Sequence, residues 1–185
     1  ARRVEKIEAR VEEIRAAGGE AIGLPLDVTN RESLEQFLDG AWGLAGRLDC
    51  LIQNAGVEAG AKTFDMIDEE DWDFVLDTNL KSVWLGAKLY AERVKAHGQE
   101  GGNIVNVGSI SAIRTIKGQF PYAVSKAGLH KATEVLALEA AKLGIRVNTL
   151  APGYILTDVS RVLLESPSSD EFRKGIPQRR YGEFD

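Results

Sequence analysis

Tyr122 and Lys126 stand four residues apart in an alanine- and leucine-rich stretch with the spacing of a helix. Residues at this separation share one helix face, so the phenol and the ammonium group are neighbours. A nearby cation favours the ionised phenol, and we therefore expect Lys126 to lower the pKa of Tyr122. Such a tyrosine can pass a proton to or from a carbonyl or alcohol oxygen. A solvated Tyr–Lys pair on a helix surface is the alternative, and other residues must decide between the two.

Ser109 lies just beyond an apolar run that we interpret as a strand, residues 103–107. Its hydroxyl is placed to donate a hydrogen bond to an oxygen on which negative charge develops. Taken alone, a serine after a strand is more often a cap or loop residue.

Small or polar residues mark three further positions. The run Asn54-Ala55-Gly56 follows a second predicted strand, and its small side chains let a flat ligand approach the backbone, although an ordinary turn would look the same. Asn79 is polar amid apolar helix positions, which fits a buried amide or a local kink as well as a functional group. Asp27 ends a third predicted strand and serves equally well as a helix cap.

The elements that must position these residues alternate along the chain. Predicted helices cover residues 4–17, 30–45, 68–97 and 121–143, and predicted strands cover 21–26, 48–53, 103–107 and 145–150. The stripe expected to be buried on the third helix comprises Trp72, Val75, Leu76, Leu80, Val83 and Trp84. Short strands that are apolar throughout are typical of an α/β protein, with a doubly wound parallel sheet covered by helices on both faces. In such folds ligands bind at the carboxyl ends of the strands, where the candidate residues fall.

Composition excludes several function classes. The chain has 185 residues and a formal net charge of −5, which disfavours nucleic acid as a partner. No apolar stretch reaches the roughly 18 residues of a membrane span. The single cysteine, Cys50, lies in an apolar run that predicts a buried strand, and a cytoplasmic location follows. His97 and His130 have no partners at metal-ligand spacing, so no metal site is expected. We interpret residues 1–185 as one domain.

The candidate residues occur in the order and spacing of the short-chain dehydrogenase/reductase family. The resemblance covers essentially the whole chain, including the segment Ile176 to Gly182. Its motifs are Asp27-Val28, Asn54-Ala55-Gly56, Asn79, Ser109, Tyr122-x-x-x-Lys126 and Pro152-Gly153-x-x-x-Thr157. It implies a Rossmann-like NAD(P)-binding domain.

The resemblance also implies catalytic roles. Tyr122 would be the general acid/base, and Lys126 would lower its pKa and bind the nicotinamide ribose. Ser109 would orient and polarise the substrate carbonyl. Asn79 would hold a water that connects Lys126 to solvent.

Further positions would bind the dinucleotide. Asp27 and Val28 would contact the adenine ring, and Asn54, Ala55 and Gly56 would line the adenosine side. A closing segment would cover the nicotinamide with Pro152, Gly153, Ile155 and Thr157.

The chain departs from the family pattern at two places. The glycine-rich Thr-Gly-x-x-x-Gly-x-Gly turn, which binds pyrophosphate in relatives, has no match here, and we expect the family's first strands and last strand to be missing from this chain. Gln53 also replaces an asparagine common in relatives, and we expect little effect from this change. At the start, Arg2 occupies the place where NAD-preferring relatives often carry a carboxylate, and its planar guanidinium suits a 2′-phosphate. NADP is therefore the expected cofactor, with NAD as the alternative.

The expected function is reversible hydride transfer between a nicotinamide cofactor and a small carbonyl or alcohol substrate. Two alternatives share parts of the pattern: an epimerase or dehydratase of the family's extended branch, and a non-catalytic dinucleotide-binding scaffold. Many relatives associate through the Tyr–Lys helix, so a homotetramer or dimer is expected.

Overall fold

The computed structural model describes residues 4–157, 160, 164 and 169–183. The chain divides into two compact units, Ala1–Leu150 and Ala151–Asp185. The interpretation of residues 1–185 as one domain stays a prediction.

A parallel sheet forms the centre of the first unit. Its three strands, β1 (Cys50–Gln53), β2 (Gly102–Val107) and β3 (Ile145–Leu150), lie in the order β1-β2-β3. Parallel neighbours need a long crossover, and a helix occupies each of the two connections. The expected α/β fold with a parallel sheet is confirmed.

The described residues of this unit form five α-helices: α1 (Val4–Ala16), α2 (Arg31–Ala45), α3 (Glu69–Leu76), α4 (Ser82–Ala96) and α5 (Phe120–Ala140). Short 3₁₀ turns cover Phe64–Met66, Ile110–Ala112 and Ala141–Leu143. The Asn30 side chain caps α2 by accepting a hydrogen bond from the backbone N–H of Ser33 at 2.9 Å.

Apolar side chains fix the strands against the helices. Ile104 of β2 and Val147 of β3 pack with Trp42 of α2 and Tyr90 of α4 in one buried cluster. A second cluster joins α2 to α4 through Leu34, Leu38, Leu85 and Leu89. Burying these side chains holds the carboxyl ends of β1 and β2 in place beside the start of α5.

The strand predicted for residues 21–26 is wrong. The segment has no regular secondary structure, and none of the described strands pairs with it. A strand is held by a ladder of hydrogen bonds to a neighbour, so an apolar composition alone does not make one. The segment packs instead on α1, where a Cβ atom at Gly23 would lie 2.5 Å from Ile7.

The helix predicted for residues 68–97 is interrupted. A π-helical turn, Asp77–Lys81, separates α3 from α4 and adds a residue to the helical repeat. Before the turn Val75 is buried and Trp72 is exposed, and after it Val83 is buried and Trp84 is exposed. The expected burial of the two tryptophans is therefore wrong.

Cys50 is exposed, contrary to expectation. It lies on β1, which is an edge strand of the described sheet, and its side chain points to the same face as exposed Ile52. No helix in the described part of the chain is long and apolar enough to cross a membrane.

The second unit contains α6 (Ser169–Lys174) and a parallel bridge between Ile155 and Gly182. The buried Tyr181 hydroxyl donates to the backbone carbonyl of Ser169 at 2.8 Å. These contacts order the unit internally.

Candidate active site

At the carboxyl end of β2, neighbouring side chains lie very close to the backbone. A Cβ atom at Gly108 would lie 2.5 Å from His130 Nε2 and 2.6 Å from Thr149 Cγ2, so only glycine fits there. The next residue, Ser109, is buried, and its hydroxyl oxygen accepts a hydrogen bond from the Ser111 backbone N–H at 3.1 Å. Accepting this bond fixes the hydroxyl while leaving its proton to be donated elsewhere.

Helix α5 presents Tyr122 and Lys126 to this strand end. Pro121, in the first turn, suits a helix start because the first N–H groups have no partner within the helix. Lys126 is only 3% exposed, and its ammonium group donates to the Val107 carbonyl at 2.8 Å. The same ammonium lies 5.6 Å from the centre of the Tyr122 ring, and the Ser109 side chain lies near enough to the phenol to act on its pKa. The structure thus brings Ser109, Tyr122 and Lys126 together.

The ionisation of the pair differs from the expectation. Burial raises the pKa of Tyr122, Glu58 raises it further, and the hydrogen bond with Ser109 acts in the opposite direction. Burial lowers the pKa of Lys126, and the negative charge of Glu58 opposes that change. The pKa of Tyr122 is therefore raised, and not lowered as expected, because desolvation by burial is the largest effect on the phenol.

Asn79 lies fully buried on the π-helical turn and fastens the loop after β1. Its side-chain oxygen accepts from the Val57 backbone N–H at 2.8 Å, and its amide nitrogen donates to the Val57 carbonyl at 2.9 Å. The nitrogen also contacts Ser125 Oγ at 3.1 Å, and that hydroxyl donates to the Tyr122 carbonyl. One side chain therefore joins three elements, a role that the extra residue of the π-turn makes possible.

Gly56 lies in the loop after β1 and has no side chain, so its backbone is open to a ligand beside Tyr122 and Lys126. A Cβ atom there would lie 3.5 Å from Asn79 Oδ1 and 3.6 Å from Lys126 Nζ, so these two polar groups border the glycine backbone. A ligand laid along Gly56 would meet a buried cation with two N–H groups beyond the one that Val107 accepts. These residues fit the nicotinamide ribose of a dinucleotide.

The predicted adenosine side is assembled in part. Val28, Asn54 and Ala55 line one cavity of about 190 Å³ next to β1. The Asp27 carboxylate accepts from the Thr29 backbone N–H at 3.0 Å and from the Thr29 hydroxyl at 2.7 Å, and so stabilises a local turn. Asp27 does not line that cavity.

The remaining residues predicted to bind the cofactor do not belong to the described part of the first unit. Arg2 lies outside the described residues. Pro152, Gly153, Ile155 and Thr157 belong to the second unit, where the Thr157 backbone N–H donates to Ser160 Oγ at 2.9 Å. In the described ranges no group of three or more His, Cys, Asp or Glu residues is placed to hold a metal ion.

The sequence interpretation missed Glu58. This residue is exposed as a whole, yet its carboxyl group is shielded enough for burial to raise its pKa, an effect that Lys126 opposes. It follows the small-residue run by two positions, and no spacing rule distinguishes it from other surface carboxylates.

The model of the short chain dehydrogenase family matches residues 1–167. A 3-oxoacyl-[acyl-carrier-protein] reductase of Synechocystis sp. is 34% identical over 176 residues, covering 95% of this chain and 68% of the relative. A crystal structure of a putative short-chain alcohol dehydrogenase from Sinorhizobium meliloti 1021 is 35% identical with a TM-score of 0.91. That match covers 99% of this chain and 72% of the solved one.

A gluconate 5-dehydrogenase from Burkholderia cenocepacia J2315, solved in complex with NADP and tartrate, is 27% identical with a TM-score of 0.90. The match covers 99% of this chain and 71% of the solved one. Its agreement with the whole described fold supports the Rossmann-like architecture. The chain belongs to the short-chain dehydrogenase/reductase family of NAD(P)-dependent oxidoreductases.

Proposed function

We propose that this chain carries the catalytic centre of an NADP-linked oxidoreductase in which Tyr122 is the general acid/base. The observation that carries the proposal is the contact of Tyr122 with Ser109 on one side and Lys126 on the other, at the carboxyl end of β2. Ligands of open α/β sheets bind at this edge.

Each residue of the site has its own role in the reaction of a carbonyl substrate. A bound nicotinamide supplies or accepts the hydride at the substrate carbon. Tyr122 gives its proton to the carbonyl oxygen during reduction and takes it back during oxidation. Ser109 donates a hydrogen bond to the same oxygen as negative charge develops on it. The raised pKa of Tyr122 keeps the acid protonated, which suits reduction near neutral pH.

Lys126 and Asn79 support this chemistry. Lys126 places a positive charge beside the phenol, and the two N–H groups that Val107 does not take would hold ribose hydroxyls. Asn79 keeps the Gly56 edge against Lys126 through its two hydrogen bonds to Val57. A water relay through Asn79 remains part of the proposal from the family resemblance.

NADP is the proposed cofactor, and NAD is the alternative. The proposal is supported by the Arg2 guanidinium of the sequence and by the NADP bound to the similar gluconate 5-dehydrogenase. Val28, Asn54, Ala55 and Gly56 would contact the adenosine side. Asp27 and the segment containing Pro152, Gly153, Ile155 and Thr157 would complete the site, as the family resemblance implies.

The protein is proposed to be a cytoplasmic homo-oligomer, either a tetramer or a dimer. Its proposed substrate is a small carbonyl or alcohol compound. Exposed apolar residues on α5, Val135 and Leu138, support association of copies through this helix. The single cysteine supports a location in a reducing compartment such as the cytoplasm. Cell fractionation tests this location.

A scaffold protein is the second candidate. A scaffold could use Lys126 to hold the ribose but would have no use for Ser109 and Tyr122, so the presence of all three residues argues against it. An epimerase or dehydratase uses the same Tyr–Lys pair and is separated from the favoured function by its products.

The test uses the full-length protein. NADPH and NADH are titrated by fluorescence, and turnover of ketones, sugars and acyl thioesters is followed by loss of cofactor absorbance. We expect Tyr122→Phe to lower kcat by about 10²-fold or more, with cofactor affinity unchanged. Cofactor binding with no turnover would support the scaffold. Turnover that Tyr122→Phe leaves intact would refute the assignment of Tyr122.

A further inference from the structure

Gln119 starts the helix that carries Tyr122 without using its side chain as a cap. The residue at the start of a helix is usually a serine, threonine, aspartate or asparagine, whose side-chain oxygen accepts from the first free N–H groups. Gln119 occupies that position before α5, and its side chain makes no such bond. Its backbone carbonyl accepts from the Ala123 N–H at 2.8 Å, so the main chain alone begins the helix. The side chain of Gln119 is therefore free for another contact.

That contact connects Gln119 to the Ser109 hydroxyl through two hydrogen bonds. Gln119 Oε1 accepts from Ser111 Oγ at 3.0 Å, and Ser111 is only 7% exposed. The Ser111 backbone N–H in turn donates to Ser109 Oγ at 3.1 Å. We call these three residues and their two hydrogen bonds the serine clasp. The clasp closes residues 111–119 into a loop, whose ends lie two residues after Ser109 and three residues before Tyr122.

The Gln119 end of the serine clasp is anchored from outside the loop. Lys62, in the segment after β1, forms a parallel bridge with Gln119, and its ammonium group pairs with Asp71 of α3. The two segments are also close one residue earlier, since a Cβ atom at Gly118 would lie 3.7 Å from Ala61 Cα. Gln119 is thus a fixed point from which a hydrogen bond can hold another side chain.

A hydroxyl group at a strand end needs such a restraint if it is to point at one oxygen. A serine side chain without a partner has three staggered rotamers open to it. Accepting from Ser111 selects one rotamer of Ser109 and leaves its proton for another acceptor. The Ser111 N–H stays on Ser109 as long as the turn Ile110–Ala112 keeps its place. The bond from the Ser111 hydroxyl to Gln119 holds that turn beside the start of α5.

We propose that Gln119 is a positioning residue that, through Ser111, aims the Ser109 hydroxyl at the oxygen of the substrate. The proposal rests on the function proposed for Ser109 and Tyr122, which must both reach that oxygen. Because Gln119 also begins the helix of Tyr122, one residue positions both groups from a common point. Misplacing a reacting group by about 1 Å costs up to about 10²-fold in rate, so opening the serine clasp has a measurable effect on kcat.

Two substitutions open the serine clasp without changing the main chain. Gln119→Met keeps the length of the side chain and removes the acceptor, and Ser111→Ala removes the donor. We expect each to lower kcat by about 10-fold and to leave the dissociation constant of the cofactor unchanged. Gln119→Glu keeps an acceptor oxygen at the same reach and is expected to retain most of the activity. Gln36→Met is the matched control, because Gln36 is exposed and hydrogen-bonds with Glu32 on α2.

Repeating the substitutions in a Ser109→Ala background shows through which group they act. Rates are measured on the full-length protein with NADPH and ethyl acetoacetate, a small 3-oxo ester. If the serine clasp acts through the Ser109 hydroxyl, Gln119→Met and Ser111→Ala change kcat by less than about 2-fold once that hydroxyl is gone. A merely structural role would lower kcat by the same factor in both backgrounds, and that result would overturn the proposal.

Amide hydrogen exchange, followed by NMR, tests the serine clasp without turnover. In isotope-labelled full-length protein free of substrate, we expect the Ser111 N–H to exchange about 10-fold faster in Gln119→Met and in Ser109→Ala than in the wild type. The Ala123 N–H is the internal control, since these substitutions keep its bond to the Gln119 carbonyl. An unchanged Ser111 rate in Gln119→Met would overturn the proposal even if kcat falls. A wild type that binds NADPH and reduces no carbonyl compound would instead refute the proposed function, and faster Ser111 exchange in Gln119→Met would then show a clasp without a catalytic role.

Discussion

A single buried lysine carries opposite consequences for stability and for catalysis. Burial lowers the pKa of Lys126, so the unfolded chain binds more protons than the native protein at a pH between the two pKa values. The native state therefore loses stability as the pH falls through this window. Below the native pKa the full cost of charging a buried group is present, and above the unfolded value it disappears.

Lys126→Met separates the two consequences. Methionine fills similar space without a charge, so we expect kcat to fall by about 10²-fold while the melting temperature stays unchanged or rises. The lost hydrogen bond from the ammonium to the Val107 carbonyl costs about 1.5–3 kcal/mol, which the relief of charge burial offsets. At neutral pH, steady-state kinetics gives kcat and thermal unfolding gives the melting temperature.

Lys131→Met is the matched control on the same helix. Lys131 is exposed and pairs with Glu134 on the surface, so its loss changes stability by at most about 0.5 kcal/mol and leaves turnover intact. A melting temperature several degrees lower in Lys126→Met would mean that the cation stabilises the fold, contrary to this argument.

The residue types and their spacing were enough to predict the meeting of Ser109, Tyr122 and Lys126, because a helix repeat and a strand end fix those positions. They were not enough to predict ionisation. The pKa of Tyr122 depends on how much protein surrounds the phenol, and no local pattern reports that quantity.

At the scale of elements, β1 and α4 are matched through Gln53 and Gly86. The Gln53 amide donates to the Val83 carbonyl and to Asn106 Oδ1, both at 3.0 Å, and so joins α4 to β2 next to the Asn54 turn. A Cβ atom at Gly86 would lie 2.3 Å from Gln53 Oε1. The glutamine, one methylene longer than the asparagine of many relatives, therefore leaves no room for a side chain at position 86 of α4 unless its amide moves.

A double-mutant cycle tests this match. Gly86→Ala alone is expected to destabilise the protein by roughly 1–3 kcal/mol, because the new methyl group displaces a hydrogen-bonded amide. In the Gln53→Asn background the same change should cost less, since the shorter side chain leaves room. Urea unfolding of the four proteins measures the coupling, for which we expect about 1–2 kcal/mol. Additive effects within about 0.5 kcal/mol would show that the two positions do not interact.

Element boundaries were predicted well where a cap or a glycine marks them, as at Asn30 and Gly144. The π-helical turn was not predicted, because one added residue in a long apolar helix leaves the local periodicity almost unchanged. It nevertheless turns Asn79 into the core and Trp84 to the surface. The segment 21–26 failed for another reason: a strand depends on a partner that its own sequence does not describe.

At the scale of the whole molecule, the exposed apolar side chains on one face of α5 call for an explanation. Val135 is 45% exposed, and Leu138 is 80% exposed. Both follow Lys126 on the helix that holds the catalytic pair, so a second copy packed on this face would restrain α5 from outside. The sequence predicted this association from the family resemblance, and the described surface is compatible with it.

Leu138→Glu tests the association. A carboxylate buried in an apolar interface loses its hydration without gaining a partner, so we expect the oligomer to dissociate at micromolar concentration. Leu44→Glu is the control, because Leu44 is also an exposed leucine but lies on α2. Light scattering after size-exclusion chromatography gives the mass of each protein, and circular dichroism checks that both are folded. A wild-type monomer would refute the association, and an oligomer that survives in Leu138→Glu and not in Leu44→Glu would place the interface elsewhere. If the monomer forms and its kcat falls together with the mass, then α5 depends on its partner to hold Tyr122 against Ser109.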